Sequence, residues 1–344
     1  MEPFSLEKEI EGSVAFIEAI LPAGKKLEIF QWSGDTTPFE DAVAATRRIG
    51  IPNLNGGDSR FDPKYPSYGW VSPVGTSVGA QRQIYTSSSN ENLYTELWTE
   101  RFFGFRNLRH TLRNTETPIR VKPFGIYYHM YSGEKPASLK ALLENLAFAR
   151  SQDLAPVSAS HYARIAEGFY LTRLVSLGED RWRIENRGRL QTIRFDRAAF
   201  RAVDFTRSRG IVGQRHYQGS LYVALDANEP APVIALAAHS DSGSLPSARQ
   251  PYLVDGRWQV RNLTIVGSAG FAFDAQGFGR GDMRWKIPAP GGYAIVVDGP
   301  NGEIRRFRAN SDEGGILAFE AVTEPLGPWV TDTVRITVMP VPAS

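Results

Sequence analysis

The chain has 344 residues, with 39 Lys and Arg against 37 Asp and Glu, which gives a formal net charge of +2. This nearly neutral balance argues against nucleic acid or an anionic membrane surface as the partner. The chain has no cysteine, so disulfides, thiolate metal sites and thiol nucleophiles are excluded. No apolar run approaches the roughly 20 residues of a membrane span. The first residues lack the basic and apolar regions of a signal peptide.

The first predicted elements form a strand–helix–strand unit. Ser5 is placed as the N-cap of a helix that runs to about Leu21, with one apolar face at helical spacing. Residues 26–32 and 51–55 are predicted strands, and residues 39–48 are a predicted helix that ends at Gly50. Because the joints are short, the two strands are expected to be parallel.

Residues 59–92 show no period and are rich in Gly, Ser, Pro, Tyr and Asn. A long aperiodic segment inside a compact domain is usually functional or disordered. Its aromatic residues Tyr65, Tyr68, Trp70 and Tyr85 favour an ordered lid or a wall of a substrate site. A helical pattern returns over residues 94–113.

Two further strands are predicted, over residues 124–128 and 154–159, each followed by a helix. The first of these helices begins near Pro136, and the second covers residues 160–169. The N-terminal half thus begins with a helix and has four strands. Four strands neither close a barrel nor protect both edges of a sheet, so a further segment is expected upstream.

From about Leu171 the pattern changes to many short apolar runs separated by turn signals, and no long helix is expected after about Arg201. Short strands at this spacing predict a β-sandwich. The predicted fold class is therefore α/β plus all-β, with domains at residues 1–170 and 171–344.

Polar residues stand at the ends of three predicted strands. Asp35 follows the first strand, Asn55 and Asp58 stand at the end of the second, and His129 follows the third. The carboxyl ends of parallel strands lie at one edge of a sheet, where α/β proteins build their sites. We therefore predict that these residues share one mouth, covered by residues 59–92. The alternative is that His129 caps a strand and that the aspartates stabilise turns.

Four motifs together resemble one protein family. They are Phe30-Gln-Trp-Ser-Gly-Asp, Asn53-Leu-Asn-Gly-Gly-Asp, Asn90-Glu-Asn-Leu-Tyr and Ile126-Tyr-Tyr-His-Met-Tyr-Ser-Gly-Glu-Lys-Pro. In this order they resemble the polysaccharide deacetylase domain of the bifunctional deacetylase and glycoside hydrolase that processes the Pel exopolysaccharide of Gram-negative bacteria. The resemblance runs from about Ser5 to Phe169, and a β-sandwich follows it in the same order.

The resemblance implies metal-dependent N-deacetylation of an amino-sugar polymer in the biofilm matrix, on a NodB-like (β/α) barrel in the periplasm. The implied cofactor is a divalent metal, typically zinc, and the implied partners are the polysaccharide and other exopolysaccharide secretion proteins. His129 matches the histidine that protonates the leaving amine. The implied roles of the remaining matched residues are catalytic for Asp35 and Asp58 and substrate-binding for Trp32, Asn55 and Tyr128.

This sequence departs from the family in its metal ligands. The family uses an Asp and a closely spaced His pair on its earliest strands, whereas the five histidines of this chain are far apart in sequence. No metal ligand is therefore assigned. We expect a C-terminal, partial deacetylase barrel, either truncated or degenerate, that is inactive as an isolated chain. Two alternatives remain: a non-catalytic carbohydrate-binding or assembly module, and a glycoside hydrolase that uses Asp35 and Asp58 as paired carboxylates.

Overall fold

A computed structural model of the chain describes residues 4–116, 120–239, 249–267, 269–327 and 330–341. The fold is a mixed α/β one, with many strands in several sheets and few helices. It divides into a first unit, Met1–Leu154 with Tyr162–Glu167, and a second unit, Ala155–His161 with Gly168–Ser344. The predicted domains, 1–170 and 171–344, stay a prediction.

The α-helices are α1 (Ser13–Ile20), α2 (Glu40–Arg48), α3 (Glu91–Tyr94), α4 (Leu108–Asn114), α5 (Pro136–Arg150) and α6 (Ala159–Leu171). A π-helical stretch, Lys8–Gly12, precedes α1, and short 3₁₀ turns cover Tyr68–Trp70, Gly104–Asn107 and Met130–Gly133. The predicted N-cap is present, because the Ser5 hydroxyl accepts a hydrogen bond from the Lys8 backbone N–H at 3.3 Å. The predicted helix start at Pro136 is confirmed.

The strands of the first unit are β1 (Phe30–Gln31), β2 (Asn53–Leu54), β3 (Gly75–Val78) and β4 (Gln81–Ile84). The β1–α2–β2 unit is present and its two strands are parallel, as predicted. The other two strands form an antiparallel hairpin inside residues 59–92, where the sequence predicted only a loop.

The predicted strands over residues 124–128 and 154–159 are wrong, because residues 124–128 and 154–158 do not pair with another strand and Ala159 begins α6. The reason at 124–128 lies in the backbone hydrogen bonds. The Gly125 carbonyl accepts from the Ser88 hydroxyl at 2.9 Å, and the His129 backbone N–H donates to the Glu91 carboxylate at 3.0 Å. Side chains thus take the bonds that a strand ladder would have used. No closed barrel occurs in the part of the chain that the structure describes.

The second unit consists mainly of strands, as predicted. They are β5 (Arg173–Gly178), β6 (Arg181–Glu185), β7 (Thr192–Phe195), β8 (Arg201–Val203), β9 (Ile211–Tyr217), β10 (Ser220–Leu225), β11 (Val233–Ala238), β12 (Tyr252–Gly256), β13 (Gln259–Val266), β14 (Gly270–Gln276), β15 (Asp282–Lys286), β16 (Gly292–Gly299), β17 (Gly302–Asn310), β18 (Ile316–Glu320) and β19 (Val334–Pro340). No helix follows α6 within the described ranges.

Three sheets organise these strands, in the orders β18-β15-β12-β9-β10-β7, β5-β6-β11-β8 and β13-β14-β19-β16-β17. The pair β9–β12 is parallel, and there Gly213 lies opposite Leu253. A Cβ at Gly213 would lie 1.9 Å from the Leu253 carbonyl oxygen, so only glycine permits this close approach. A large apolar cluster that includes Trp258, Trp285 and Phe271 forms the main core of the unit.

Candidate acid–base site

The ends of β1 and β2 are joined by their own polar side chains. The Trp32 indole N–H donates to the Asn53 side-chain oxygen at 3.1 Å, and the Asn55 amide donates to the Trp32 carbonyl at 2.6 Å. Asn55 itself has a positive φ of 109° and begins a turn that Gly56 and Gly57 continue. These bonds fix the predicted substrate residues Trp32 and Asn55 beside each other.

The turn after β2 needs glycine for a steric reason. A Cβ at Gly57 would lie 2.0 Å from the Tyr85 ring, and the φ of Gly57 is 69°. Both the left-handed backbone and the aromatic ring therefore exclude other residues. Tyr85 thus packs against the strand-end turn, as expected for an ordered segment 59–92.

Tyr127 connects this strand end to the segment that carries the histidine. Its hydroxyl accepts hydrogen bonds from the Gln31 amide at 3.3 Å and from the Asn55 amide at 3.4 Å. The rings of Tyr127 and His129 lie 5.6 Å apart. Asn55 and His129, predicted to share a site, are thus linked through one tyrosine.

A buried glutamate holds His129 in place. The Nδ1 atom of His129 lies 2.7 Å from Oε1 of Glu91, and the His129 backbone N–H donates to the same oxygen at 3.0 Å. The Glu91 side chain is fully buried, whereas the imidazole is 37% exposed. One carboxylate oxygen thus fixes both the backbone and the ring of His129.

The contacts of Tyr131 determine the tautomer of His129. The Tyr131 hydroxyl lies 3.1 Å from Nδ1 and donates its proton to the Asn92 side-chain oxygen at 2.9 Å. The Nδ1–H of His129 therefore donates its hydrogen bond to Glu91. The neutral imidazole then carries its free electron pair on Nε2. Burial raises the pKa of Tyr131 above its ordinary value, despite the opposing bond to Asn92, so this hydroxyl stays protonated.

Aromatic packing restricts the ring of Tyr131. It stacks on His129 with ring centres 4.9 Å apart and an angle of 7° between the ring planes, and the tilted Trp98 ring lies 4.8 Å away.

The second oxygen of Glu91 is also buried and accepts no hydrogen bond from the described residues. An uncompensated carboxylate oxygen is costly in a protein interior, and such costs concentrate at functional sites.

The other predicted catalytic residues lie apart from this arrangement. Asp35 is exposed and accepts hydrogen bonds from the Thr37 backbone at 3.1 Å and from the Thr37 hydroxyl, which is a turn-stabilising pattern. Asp58 is exposed as well, and Tyr128 is 36% exposed. Within the described residues neither aspartate forms a hydrogen bond or an ion pair with His129. Their membership of one mouth with His129 stays a prediction.

Four residues of this site were not predicted from the sequence: Glu91, Asn92, Tyr127 and Tyr131. The signal for two of them was available, because Glu91 and Asn92 lie in the motif Asn90-Glu-Asn-Leu-Tyr. A glutamate in a short polar stretch gives no sign that it will be fully buried, and 38 residues separate it from His129. Tyr127 lies in the predicted strand 124–128 and Tyr131 in the loop after it, and neither was given a role.

Across the described ranges, no group of three or more His, Asp or Glu side chains is placed to hold a metal ion. Glu91 and His129 supply two donor groups, and each is bound to the other. The donor set of the site therefore does not fit the three-ligand metal site that the resemblance implies.

No model of a protein family matches this sequence, and neither a curated protein nor a solved structure matches it significantly. No helix in the described part of the chain is long and apolar enough to cross a membrane.

Proposed function

We propose that this chain supplies the proton donor of a polysaccharide N-deacetylase site that acts on an amino-sugar polymer. The observation that carries the proposal is the buried Glu91 bonded to both the ring and the backbone of His129, at 2.7 and 3.0 Å. This arrangement orients a half-exposed imidazole with Nε2 as its free nitrogen. Glu91 is a positioning residue, and His129 is the catalytic one.

The reaction assigned to His129 is proton transfer to a leaving amine. Water adds to the acetyl carbon, the C–N bond breaks, and the Nε2 proton of the imidazolium passes to the sugar nitrogen. The proton of the attacking water then restores the imidazolium, so the products are acetate and a free amino sugar. The neighbouring carboxylate holds the ring in its orientation, and such a general acid contributes roughly 10²–10⁴-fold to the rate.

The substrate surface of the proposal consists of Tyr127, Asn55 and Trp32. The Tyr127 hydroxyl is held by two amide donors, and Trp32 is fixed by Asn53, so both rings are oriented before substrate binds. A sugar ring needs apolar faces with a few fixed polar groups, and this set provides both.

The resemblance adds the finer parts of the proposal. The parallel β1–α2–β2 unit agrees with a portion of a NodB-like (β/α) barrel, and the three sheets of the second unit agree with a β-sandwich. Within the same proposal the protein works in the periplasm with exopolysaccharide secretion proteins. Because the described donors do not fit the metal of the family, no step is assigned to a metal.

The test is acetate release from an N-acetylated glucosamine oligomer by protein expressed from its own genomic locus. We expect His129→Gln to lower kcat by roughly 10²–10⁴-fold with little change in KM, because the acid acts in the transition state. Tyr217→Ala, an exposed tyrosine of the second unit, is the matched control and should leave the rate unchanged. Equal rates for His129→Gln and the parent protein would disprove the assignment.

The positioning role of Glu91 needs a readout besides the rate. We expect Glu91→Gln to lower kcat by about 10²-fold or more and to change the tautomer of the neutral His129 ring, seen in its ¹⁵N chemical shifts. Glu91→Asp keeps the carboxylate and should retain the Nδ1–H tautomer. An unchanged tautomer in Glu91→Gln would show that Glu91 has only a structural role.

A second candidate is a non-catalytic carbohydrate-binding module. It is favoured by exposed aromatic side chains of the first unit, among them Trp70 at 55% and Tyr128 at 36% exposure. This candidate predicts oligomer binding with no acetate release under any condition. Release that depends on His129 would exclude it.

A further inference from the structure

A second aromatic surface lies within residues 58–70 and takes no part in the site around His129. Trp70 is 55% exposed, and its ring packs edge-on against Tyr65 with centres 4.9 Å apart. The Trp70 carbonyl accepts a hydrogen bond from the Arg60 backbone N–H at 2.9 Å. We name the surface formed by Trp70, Tyr65 and Asp58 the Trp70 platform. An exposed ring held this firmly is arranged before any ligand arrives.

A buried arginine supports the platform from below. The Arg60 guanidinium lies 4.6 Å from the Tyr65 ring centre and 4.4 Å from that of Tyr94. It pairs with the buried Asp62 at 2.7 Å and donates to the Leu93 carbonyl at 2.6 Å. Burying an ion pair costs desolvation energy. In return, this pair fixes the position of the Arg60 side chain under the platform.

The same short helix supports the platform and the acid–base site. Leu93 and Tyr94, which hold Arg60, belong to α3, and so does Glu91, which holds His129. The two places are therefore built on one element of the first unit. A ligand with several linked sugar rings is the natural occupant of two such places.

Asp58 gives the platform a negative charge. Ser59 pairs with Val71 in an antiparallel bridge, and the Ser72 hydroxyl donates to the Asp58 carbonyl at 2.8 Å. These contacts place the Asp58 backbone beside Val71 and Ser72, the residues that directly follow Trp70, and the Arg60 backbone N–H is bonded to the Trp70 carbonyl. Asp58 is exposed and forms no ion pair with any described residue.

We propose that the Trp70 platform is a binding subsite for an amino sugar that carries a free ammonium group, as in a partly N-deacetylated oligomer. Trp70 offers a face for the sugar ring, and Asp58 with the ring quadrupole attracts the ammonium. The nearby Lys64 is already paired with Glu96 at 2.7 Å, so its charge does not cancel that of Asp58. The choice of an amino sugar rests on the proposed function.

The test is calorimetric titration of the full chain with two glucosamine pentamers, one fully N-acetylated and one N-deacetylated. We expect the deacetylated pentamer to bind about tenfold more tightly at low salt, and the difference to shrink in salt. Trp70→Ala should weaken both pentamers about tenfold, whereas Asp58→Asn should weaken only the deacetylated one. Equal binding of both pentamers, or binding unaffected by Trp70→Ala, would overturn the proposal.

Controls separate the subsite from folding and from catalysis. Trp70→Phe keeps a ring on Tyr65 and should retain most of the affinity, which covers the case that Trp70→Ala fails to fold. Tyr217→Ala and Asp196→Asn remove an exposed tyrosine and an exposed carboxylate of the second unit and should change nothing. In the protein expressed from its own genomic locus, His129→Gln should lower the rate of acetate release by roughly 10²–10⁴-fold without changing pentamer binding. Loss of acetate release with retained pentamer binding in His129→Gln thus tests the proposed function. Loss of pentamer binding with retained acetate release in Trp70→Ala tests the subsite.

Discussion

The two units of the chain have interiors of different kinds. In the second unit large apolar side chains fill the core, and Trp285 packs between Phe271 and Phe273 at 4.7 and 4.6 Å. In the first unit small apolar clusters share the interior with polar groups: most of the buried polar and charged side chains among the described residues belong to it, including Glu91 and Lys122. Buried polar groups cost stability unless they are paired, so a chain keeps them where geometry matters more than stability.

The largest expected effect is in the apolar core. Trp285 is fully buried, and Trp285→Ala should cost about 3–5 kcal/mol of the unfolding free energy of the second unit. Its indole N–H is buried without a partner among the described residues. Trp285→Phe, which removes that N–H, should therefore cost much less. Chemical denaturation followed by near-UV circular dichroism measures both, and equal losses would refute the apolar account of this core.

In the first unit a polar pair should matter nearly as much. Arg60→Met leaves Asp62 buried and unpaired, which should destabilise the first unit by about 3–5 kcal/mol. The double variant Arg60→Met, Asp62→Asn removes the buried, unpaired charge of Asp62 and should recover part of the lost stability. Denaturant midpoints of the single and double variants provide the measurement. No recovery in the double variant would mean that the aromatic contacts of Arg60, not its charge, stabilise the segment.

Lys122 should make the stability of the first unit depend on pH. Its amine is buried, donates to the Pro73 and Thr86 carbonyls at 2.9 and 3.0 Å, and has its pKa lowered by burial to about 8. Between about pH 8 and 10.5 the unfolded chain holds more protons, so stability should rise with pH by up to about 3 kcal/mol.

Burial acts on tyrosine in the opposite sense. It raises the pKa of Tyr94 above its ordinary value, so the folded chain keeps a proton that the unfolded chain loses, and stability should fall as pH rises above about 10. Urea titrations from pH 7 to 11 measure both trends. Lys122→Met should flatten the rise below pH 10 and leave the later fall, and a rise that persists in this variant would rule out Lys122 as its source.

The smallest expected effect concerns a helix cap. The Ser158 hydroxyl accepts a hydrogen bond from the His161 backbone N–H at 3.2 Å at the start of α6. Ser158→Ala should cost about 1 kcal/mol, and Ser158→Asp should restore most of it. Thermal unfolding compares the three proteins. A loss above about 3 kcal/mol would show that Ser158 does more than cap the helix.

The local signals of the sequence were sufficient for elements that stabilise themselves. The cap at Ser5, the start of α5 at Pro136 and the end of α2 before Gly50 depend on residues a few positions apart, so they were predictable. The parallel β1–α2–β2 unit followed from its short joints. The strands of the second unit followed from the spacing of their apolar runs.

The candidate site depended on contacts that no local pattern contains. The sequence placed His129 after a strand, but the backbone of residues 124–129 bonds instead to Ser88 and Glu91, which are 37 and 38 residues away. It assigned Asp35 and Asp58 from their position after strands, whereas the carboxylate that bonds to His129 is Glu91. A period of two or 3.6 residues can show which side of an element is apolar. It cannot show which distant side chain will satisfy a buried hydrogen-bonding group, because that choice is made only when the whole chain packs.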